Sequence, residues 1–165
     1  MNSNMPQSGS PYFKLLGTLL ISFIIMYAVM FLNVVSIQHI YLSLNRAYMA
    51  LLMVAPMTLL MLGFMRQMYP DRRKNMFLAF ASVAVFVAAL AMLRNQTFIG
   101  DEQYMKAMIP HHSSAIMTST HANLERADAQ KLAKGIIETQ IREIELMKQY
   151  LQIKGEAVPQ AGEAQ

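Results

Sequence analysis

The chain has 165 residues, of which 55% are hydrophobic and 15% are charged, and it contains no cysteine. This composition is too apolar for a small soluble domain and is typical of a membrane protein with a polar appendage. The lack of cysteine excludes disulfides, thiolate chemistry and zinc-ribbon sites within this chain. The net charge of +4 arises from basic residues in short loops between apolar segments. This placement indicates orientation in a membrane rather than nucleic-acid binding.

Three apolar segments predict a membrane domain over residues 13–94, behind a polar leader over residues 1–12. The first segment, residues 15–32, has no charged side chain and would be ~27 Å long as a helix, close to the hydrocarbon thickness of a bilayer. We expect it to be an uncleaved anchor rather than a signal peptide, because no small-residue cleavage site follows it. The second and third predicted spans are residues 47–65 and 76–93.

The loops between these spans predict the orientation of the chain. The loop over residues 33–46 carries one basic residue, Arg46, whereas the loop over residues 66–75 carries four. These four are Arg66, Arg72, Arg73 and Lys74. Because positive loops stay in the cytoplasm, the pattern predicts a cytoplasmic N-terminus and an extracytoplasmic chain after Arg94. We therefore expect an integral protein of a bacterial inner or plasma membrane, with the lipid bilayer as one partner.

Methionine is abundant, with 16 residues, and five of them recur at every fourth position of the second span. These five are Met49, Met53, Met57, Met61 and Met65. One interpretation is a thioether track for a soft cation, and the other is a flexible packing ridge between helices. The ridge is favoured because no histidine or carboxylate lies beside the row at membrane depth. His39, in the first loop, is expected at the membrane interface rather than as a ligand.

The chain after residue 98 becomes amphipathic and predicts a helical hairpin domain over residues 99–154. Its first helix is expected to end near Asn123, and its second to run from about Glu125 to Lys154. Residues 155–165 are polar and contain proline, glycine and alanine, which predicts a flexible tail.

A helical wheel places one broad apolar stripe on each of the two hairpin helices. The first stripe comprises Tyr104, Met105, Met108, His111, His112, Ala115, Ser119 and Ala122. The second comprises Ala133, Ile136, Ile137, Gln140, Ile144, Met147 and Leu151, with Glu143 at its edge. In an antiparallel pair these stripes face each other, which would bury both histidines near Gln140, Glu143 and Met147. Pro110 is expected to bend the first helix beside them.

Two interpretations fit histidines on a buried stripe, since buried polar groups need partners. In the first, imidazoles and thioethers form a metal site whose softness suits Cu(I), or Ag(I), better than zinc. The residues predicted for it are His111, His112, Met108, Met147, Met105 and Glu143. In the second, both histidines form hydrogen bonds to Gln140, Glu143 or backbone carbonyls and only stabilise the hairpin. Met117 and His121 fall outside the stripe.

Two segments of the hairpin resemble the domain of unknown function 305 family: "DEQYMKAMIPHHSSAI" (101–116) and "IIETQIREIELM" (136–147). The resemblance covers roughly residues 99–152. It implies a ferritin-like helical domain, copper binding and metal tolerance outside the cytoplasm. It also implies metal-site roles for Met108, His111, His112 and Met147, with Glu143 and Gln140 in support. This chain has Thr118 where the family usually has methionine, and Met117 is displaced by one position.

These observations together predict an all-α protein with three transmembrane helices followed by an extracytoplasmic hairpin of ferritin-like type. A two-helix hairpin buries too little surface to be stable by itself, so we expect a homo-oligomer that completes a four-helix bundle. The leading functional hypothesis is membrane-anchored copper binding, for sequestration or hand-over of Cu(I) or Ag(I). The alternative is a metal-independent interaction module. We expect no enzymatic activity, because the chain has neither Glu-x-x-His pairs nor a Gly-x-Ser-x-Gly motif.

Overall fold

The structure, a computed structural model, describes residues 10–155, with side chains for residues 10–152. Most of the predicted polar leader, and the predicted flexible tail beyond Gly155, lie outside the described residues. The described chain forms five α-helices and no strand, so the all-α prediction is confirmed. The helices are α1 (Pro11–Val29), α2 (Leu44–Phe64), α3 (Arg72–Arg94), α4 (Asp101–His121) and α5 (Ala127–Gly155). Two short 3-10 turns, Ile37–His39 and Arg66–Met68, lie in the loops before α2 and α3.

The described residues divide into two compact units. The first contains residues 10–30 and 45–97, and the second contains residues 31–44 and 98–155. The loop between α1 and α2, which the sequence-based division grouped with the membrane helices, thus clusters with the C-terminal helices.

Each helix of the first unit is long and apolar enough to cross a membrane, as predicted from the three apolar segments. The observed helices begin several residues earlier than the predicted spans, and α1 ends at Val29. Large apolar side chains point outward from these helices, for example Leu20, Ile21, Phe77 and Phe80, all more than half exposed. Such outward-facing apolar surface is compatible with a membrane protein.

Polar contacts at both ends of the first unit fix its helices. The Asp71 carboxylate accepts hydrogen bonds from the backbone N–H groups of Arg73 and Lys74, which caps the N-terminus of α3. The Tyr12 hydroxyl accepts a bond from the Asp71 N–H at 3.0 Å and lies 3.0 Å from Oδ1 of Asn75. At the other end, the Tyr48 hydroxyl donates to the carbonyl of Thr97 at 2.9 Å.

The methionine row of α2 lies partly outside the core of the first unit. Met49, Met53 and Met65 are exposed, whereas Met57 and Met61 are partly buried. Met61 packs against the small core cluster that contains Leu15, Leu62 and Tyr69. The packing-ridge interpretation therefore applies to at least one member of the row, and the thioether-track interpretation stays a prediction.

The second unit is built on an antiparallel hairpin of α4 and α5. The Tyr150 hydroxyl lies 3.1 Å from Oδ2 of Asp101 near the open end of the hairpin. His112 and Glu143 meet nearer its closed end. The hydrophobic core between the helices consists of Ile109, Ile116, Ile144 and Met147. The predicted end of α4 and both predicted ends of α5 lie within two residues of the observed ones.

Candidate metal centre

The buried face of α4 is centred on His112 and Ser113. Ile109 and Ser113 are fully buried, and Ile116 and His112 are each 8% exposed. Positions i, i+3, i+4 and i+7 lie on one side of a helix, so these four residues form a continuous inward face. Pro110 lies within α4 without ending it, although it has no N–H to donate to the carbonyl of Lys106.

His111 is exposed, so the prediction that both imidazoles lie on the buried stripe is wrong for this residue. Consecutive residues are separated by about 100° around a helix, and the observed inward face admits only one of the pair. The predicted stripe was misplaced because it left out Ile109 and Ile116, which pack against α5 in the structure and rotate the inward face away from His111. The two rings remain neighbours, with centroids 6.0 Å apart and planes inclined by 62°.

A hydrogen bond joins His112 to Glu143 across the hairpin. Nε2 of His112 lies 2.7 Å from Oε2 of Glu143. The His112 side chain is 11% exposed and that of Glu143 is 43% exposed, so the imidazole is enclosed while the carboxylate borders solvent. An ionised carboxylate only accepts hydrogen bonds, so Nε2 carries the hydrogen of this bond. Glu143, which the sequence-based prediction placed in the metal site, is thus a hydrogen-bond partner of His112.

The other ring nitrogen, Nδ1 of His112, is shielded from solvent and has no hydrogen-bond partner among the described residues. In the neutral imidazole with hydrogen on Nε2, Nδ1 holds a lone pair. A buried polar atom without a partner costs free energy, and such atoms in folded proteins call for a bound water, an ion or a functional role. In that tautomer Nδ1 is the nitrogen available as a ligand, because Nε2 is engaged by Glu143.

Three thioethers belong to the same hairpin core. Met147 is 8% exposed and is a member of the core cluster, and Met105 and Met108 pack against that cluster from α4. Met108 lies one turn before His112, and Met147 lies one turn after Glu143. Because the helices are antiparallel, these two steps lead to the same level of the hairpin. Five of the six predicted metal residues thus lie on successive turns of the two helices, whereas the sixth, His111, is exposed.

The other residues considered in the sequence lie elsewhere. Gln140 is partly buried and borders a groove on the outer side of α5, with Leu132, Ile136 and Thr139. His121 is exposed, and its Nδ1 lies 2.9 Å from the carbonyl oxygen of Met117.

Histidine and carboxylate side chains do not cluster in threes in the described part of the chain. Among residues 10–152, no three side chains of the types His, Asp or Glu come together in a geometry that could hold an ion. Structural zinc sites use four nitrogen or sulfur ligands and di-iron sites use several carboxylates. An imidazole nitrogen combined with thioethers would suit a soft monovalent ion better than a hard divalent one.

The structure also reveals a set of contacts that the sequence did not predict, between the loop over residues 31–44 and α4. The buried Ser113 hydroxyl accepts a hydrogen bond from the Val35 N–H at 2.9 Å and lies 2.9 Å from Nδ1 of His39. The side-chain amide of Asn33 donates to the Ser114 hydroxyl at 2.7 Å. The adjacent serines directly after the histidine pair were the available signal, since a serine on a buried face needs a partner.

His39 is consequently a structural contact of α4 and not only a loop residue. Burial lowers the pKa of His39 below its ordinary value of 6.5, and the nearby positive charge of Lys148 lowers it further. The carboxylate of Glu145 opposes these effects. The neutral imidazole is therefore favoured while the loop is bound to α4.

Comparison with known proteins identifies the family of the chain. The family model described as "Domain of unknown function (DUF305)" matches residues 65–151, which is more than half of the chain. The chain belongs to the DUF305 family. It is also similar to "Uncharacterized protein L153" of Acanthamoeba polyphaga mimivirus, with 36% identity over 118 residues, covering 70% of this chain and 76% of the relative. No solved structure matches the chain significantly.

The DUF305 match is longer than the resemblance read from the motifs. It begins at Met65, before α3, and includes that apolar helix as well as the α4–α5 hairpin. The family assignment predicted from the histidine, glutamine and methionine pattern is therefore confirmed, and the family match is not confined to the hairpin.

Proposed function

We propose that this protein is a membrane-anchored copper-binding protein whose α4–α5 hairpin binds Cu(I), or Ag(I), outside the cytoplasm. It would retain the ion or pass it on, and so contribute to metal tolerance. The observation that carries the proposal is the enclosed Nδ1 of His112, which has no partner among the described residues while its Nε2 is held by Glu143.

The His112–Glu143 pair has the arrangement typical of a metal-binding imidazole. Ligand histidines usually donate their second ring N–H to a carboxylate or carbonyl, which fixes the tautomer and raises the basicity of the coordinating nitrogen. In this hairpin Glu143 would serve that purpose, and His112 would coordinate through Nδ1. Met108 and Met147 would supply thioethers from the adjacent turns. Exposed His111 would be a further imidazole at the rim.

The absence of cysteine suits the proposed location. Thioethers bind soft ions without losing a proton, and they form no disulfides in an oxidising compartment. The three apolar helices support anchoring in a bilayer, and the basic loop between α2 and α3 supports a cytoplasmic position for that loop.

The topology can be tested with single cysteines, because the chain has none of its own. Asn123→Cys lies at an exposed position after α4, and Gln67→Cys lies at an exposed position in the basic loop. A membrane-impermeant maleimide added to intact cells should label the first and not the second. Labelling of Gln67→Cys alone would place the hairpin in the cytoplasm.

Metal binding is best tested with the full chain in detergent, because loop 31–44 contributes contacts to α4. Cu(I) affinity would be measured by competition with a chromogenic chelator for wild type, His112→Ala, His111→Ala and the control His121→Ala. The His121 ring is exposed, and its hydrogen bond is to the carbonyl of Met117 in the same helix. Its loss should therefore leave Cu(I) affinity unchanged. We expect His112→Ala to lose the most affinity and His111→Ala to lose less. Equal affinity in wild type and His112→Ala would refute the proposal.

A second candidate function is a metal-independent interaction module, in which the hairpin is of ferritin-like type and self-associates into a four-helix bundle. The observation that favours it is exposed apolar surface on α5, where Leu132, Ile141 and Leu146 are 66%, 50% and 58% exposed. A second copy could cover these side chains. Light scattering of the detergent-solubilised chain, with and without a Cu(I) chelator, distinguishes the two. A dimer that persists without metal, with no measurable Cu(I) affinity, would support the module.

A further inference from the structure

The loop between α1 and α2 exposes an unusual amount of apolar surface for a connection outside a helix. Five of its large apolar side chains are more than 40% exposed. They are Leu32, Val35, Ile37, Ile40 and Leu42. From Phe31 to Asn45 the chain has no charged residue. Phe98, in the same unit, is 77% exposed.

Several polar groups of this loop bond to α4. Asn33 donates to Ser114, the Val35 N–H donates to Ser113, and the Leu44 N–H donates to the side chain of Gln103. These bonds hold the loop in one conformation and leave its apolar side chains outside. The outward side of the loop, opposite these contacts with α4, therefore presents exposed apolar side chains.

The continuity of the loop with two candidate membrane spans indicates what covers this surface. The loop leads directly from α1 into α2, both of which are long and apolar enough to cross a bilayer. A loop at the end of two such spans emerges at the membrane interface, where uncharged, partly apolar segments are favoured. Ile37, in the 3-10 turn, is 84% exposed and Leu32 is 81% exposed, and contact with lipid would remove both from water.

We propose that the outward face of loop 31–44 inserts into the outer interface of the lipid bilayer and thereby holds α4 beside the membrane surface. The inference rests on the proposed membrane anchoring. It adds that the loop is the lipid-binding surface of the unit that carries His112, and that Ser113 and Ser114 link the metal-site helix to it. An ion bound at His112 would then be held next to the bilayer rather than at a distance from it.

Tryptophan fluorescence tests the proposal, because the chain contains no tryptophan. Single variants of the full chain would be reconstituted in phosphatidylcholine vesicles with or without brominated acyl chains, which quench tryptophan at short range. Ile37→Trp reports on the loop. Leu132→Trp, at a position on α5 that is 66% exposed, is the matched control outside it. Ile24→Trp, at a 58% exposed position within α1, reports on anchoring itself.

We expect strong quenching of Ile24→Trp and Ile37→Trp by brominated lipid, and several-fold weaker quenching of Leu132→Trp. Quenching of Ile24→Trp with no quenching of Ile37→Trp would overturn the inference and leave the anchoring intact. No quenching of either would overturn the anchoring and the inference together. Equal quenching of Leu132→Trp and Ile37→Trp would overturn the inference as well, since the loop would then have no special contact. Leu42→Trp, at a 69% exposed position, repeats the measurement if Ile37→Trp does not fold.

Discussion

Replacing Glu143 by glutamine separates the effect of its hydrogen bond to His112 from the effect of its negative charge. Glutamine has nearly the same volume and keeps an oxygen that accepts the Nε2–H of His112, but it carries no charge. The bond is 2.7 Å long and joins an imidazole that is 11% exposed to a carboxylate that is 43% exposed. Because the carboxylate borders solvent, the loss of its charge should cost less free energy than the loss of a fully buried charged hydrogen bond. We expect the unfolding free energy without metal to fall by about 1 kcal/mol.

The expected effect on copper binding is larger. Removal of a carboxylate that supports a ligand histidine lowers metal affinity by about 10–100-fold, or about 1.4–2.8 kcal/mol. Cu(I) affinity would be measured by competition with a chromogenic chelator, and stability by urea denaturation of the metal-free protein. Glu138→Gln, at an exposed position of α5, removes the same charge from the same helix and should leave affinity unchanged. Wild-type affinity in Glu143→Gln would refute the orienting role. A loss as large as that of His112→Ala would make Glu143 a ligand, as first predicted from the sequence.

Further predictions concern the thioethers and the loop contact. Met147→Leu conserves volume and should change the unfolding free energy by less than about 1.5 kcal/mol, yet it should lower Cu(I) affinity several-fold. The control Met117→Leu should leave Cu(I) affinity unchanged. Equal affinities of the two variants would exclude Met147 as a ligand. Ser113→Ala should lower the unfolding free energy by about 1–3 kcal/mol, because the Val35 N–H loses its acceptor. Hydrogen exchange at the Val35 amide should become faster, and unchanged exchange would contradict the contact. The lowered pKa of His39 means that the unfolded chain takes up a proton more readily than the folded one. Its contribution to stability is therefore present above pH 6.5 and is lost as the pH falls through the folded pKa, so protection of the Val35 amide should decrease on acidification in wild type and not in His39→Gln.

The helices of this protein could be predicted from its sequence, because they depend on the composition and periodicity of each segment. Charge-free apolar runs and a 3.6-residue pattern determine α1 to α5 almost independently of what packs against them. The inward direction of α4 depends on its neighbours. The predicted stripe left out Ile109 and Ile116, which form the side of α4 that packs on α5, and so it placed His111 inward. Ser113 is buried instead, where it contacts Val35 and His39 of the loop before α2.

For the candidate site, the sequence indicated which residues take part but not how their side chains interact. The motifs singled out His112, Glu143 and Met147 from spacing, and the structure brings them to neighbouring turns of one hairpin. The sequence could not indicate that Glu143 bonds to Nε2 and leaves Nδ1 of His112 enclosed without a partner, because that assignment depends on side-chain geometry. The contact of His39 with Ser113 could not be predicted from the sequence for the same reason. No spacing rule relates His39 to Ser113, which is 74 positions away.

X-ray absorption spectroscopy of the Cu(I)-loaded full chain tests the copper proposal most directly. The chain has no cysteine, so any protein sulfur bound to copper must come from methionine. We predict imidazole nitrogen and sulfur scatterers at roughly 2.0 and 2.3 Å in wild type, with the nitrogen contribution reduced in His112→Ala. A spectrum without sulfur, or one that His112→Ala leaves unchanged, would contradict a site formed by the His112 imidazole and the thioethers of the hairpin core.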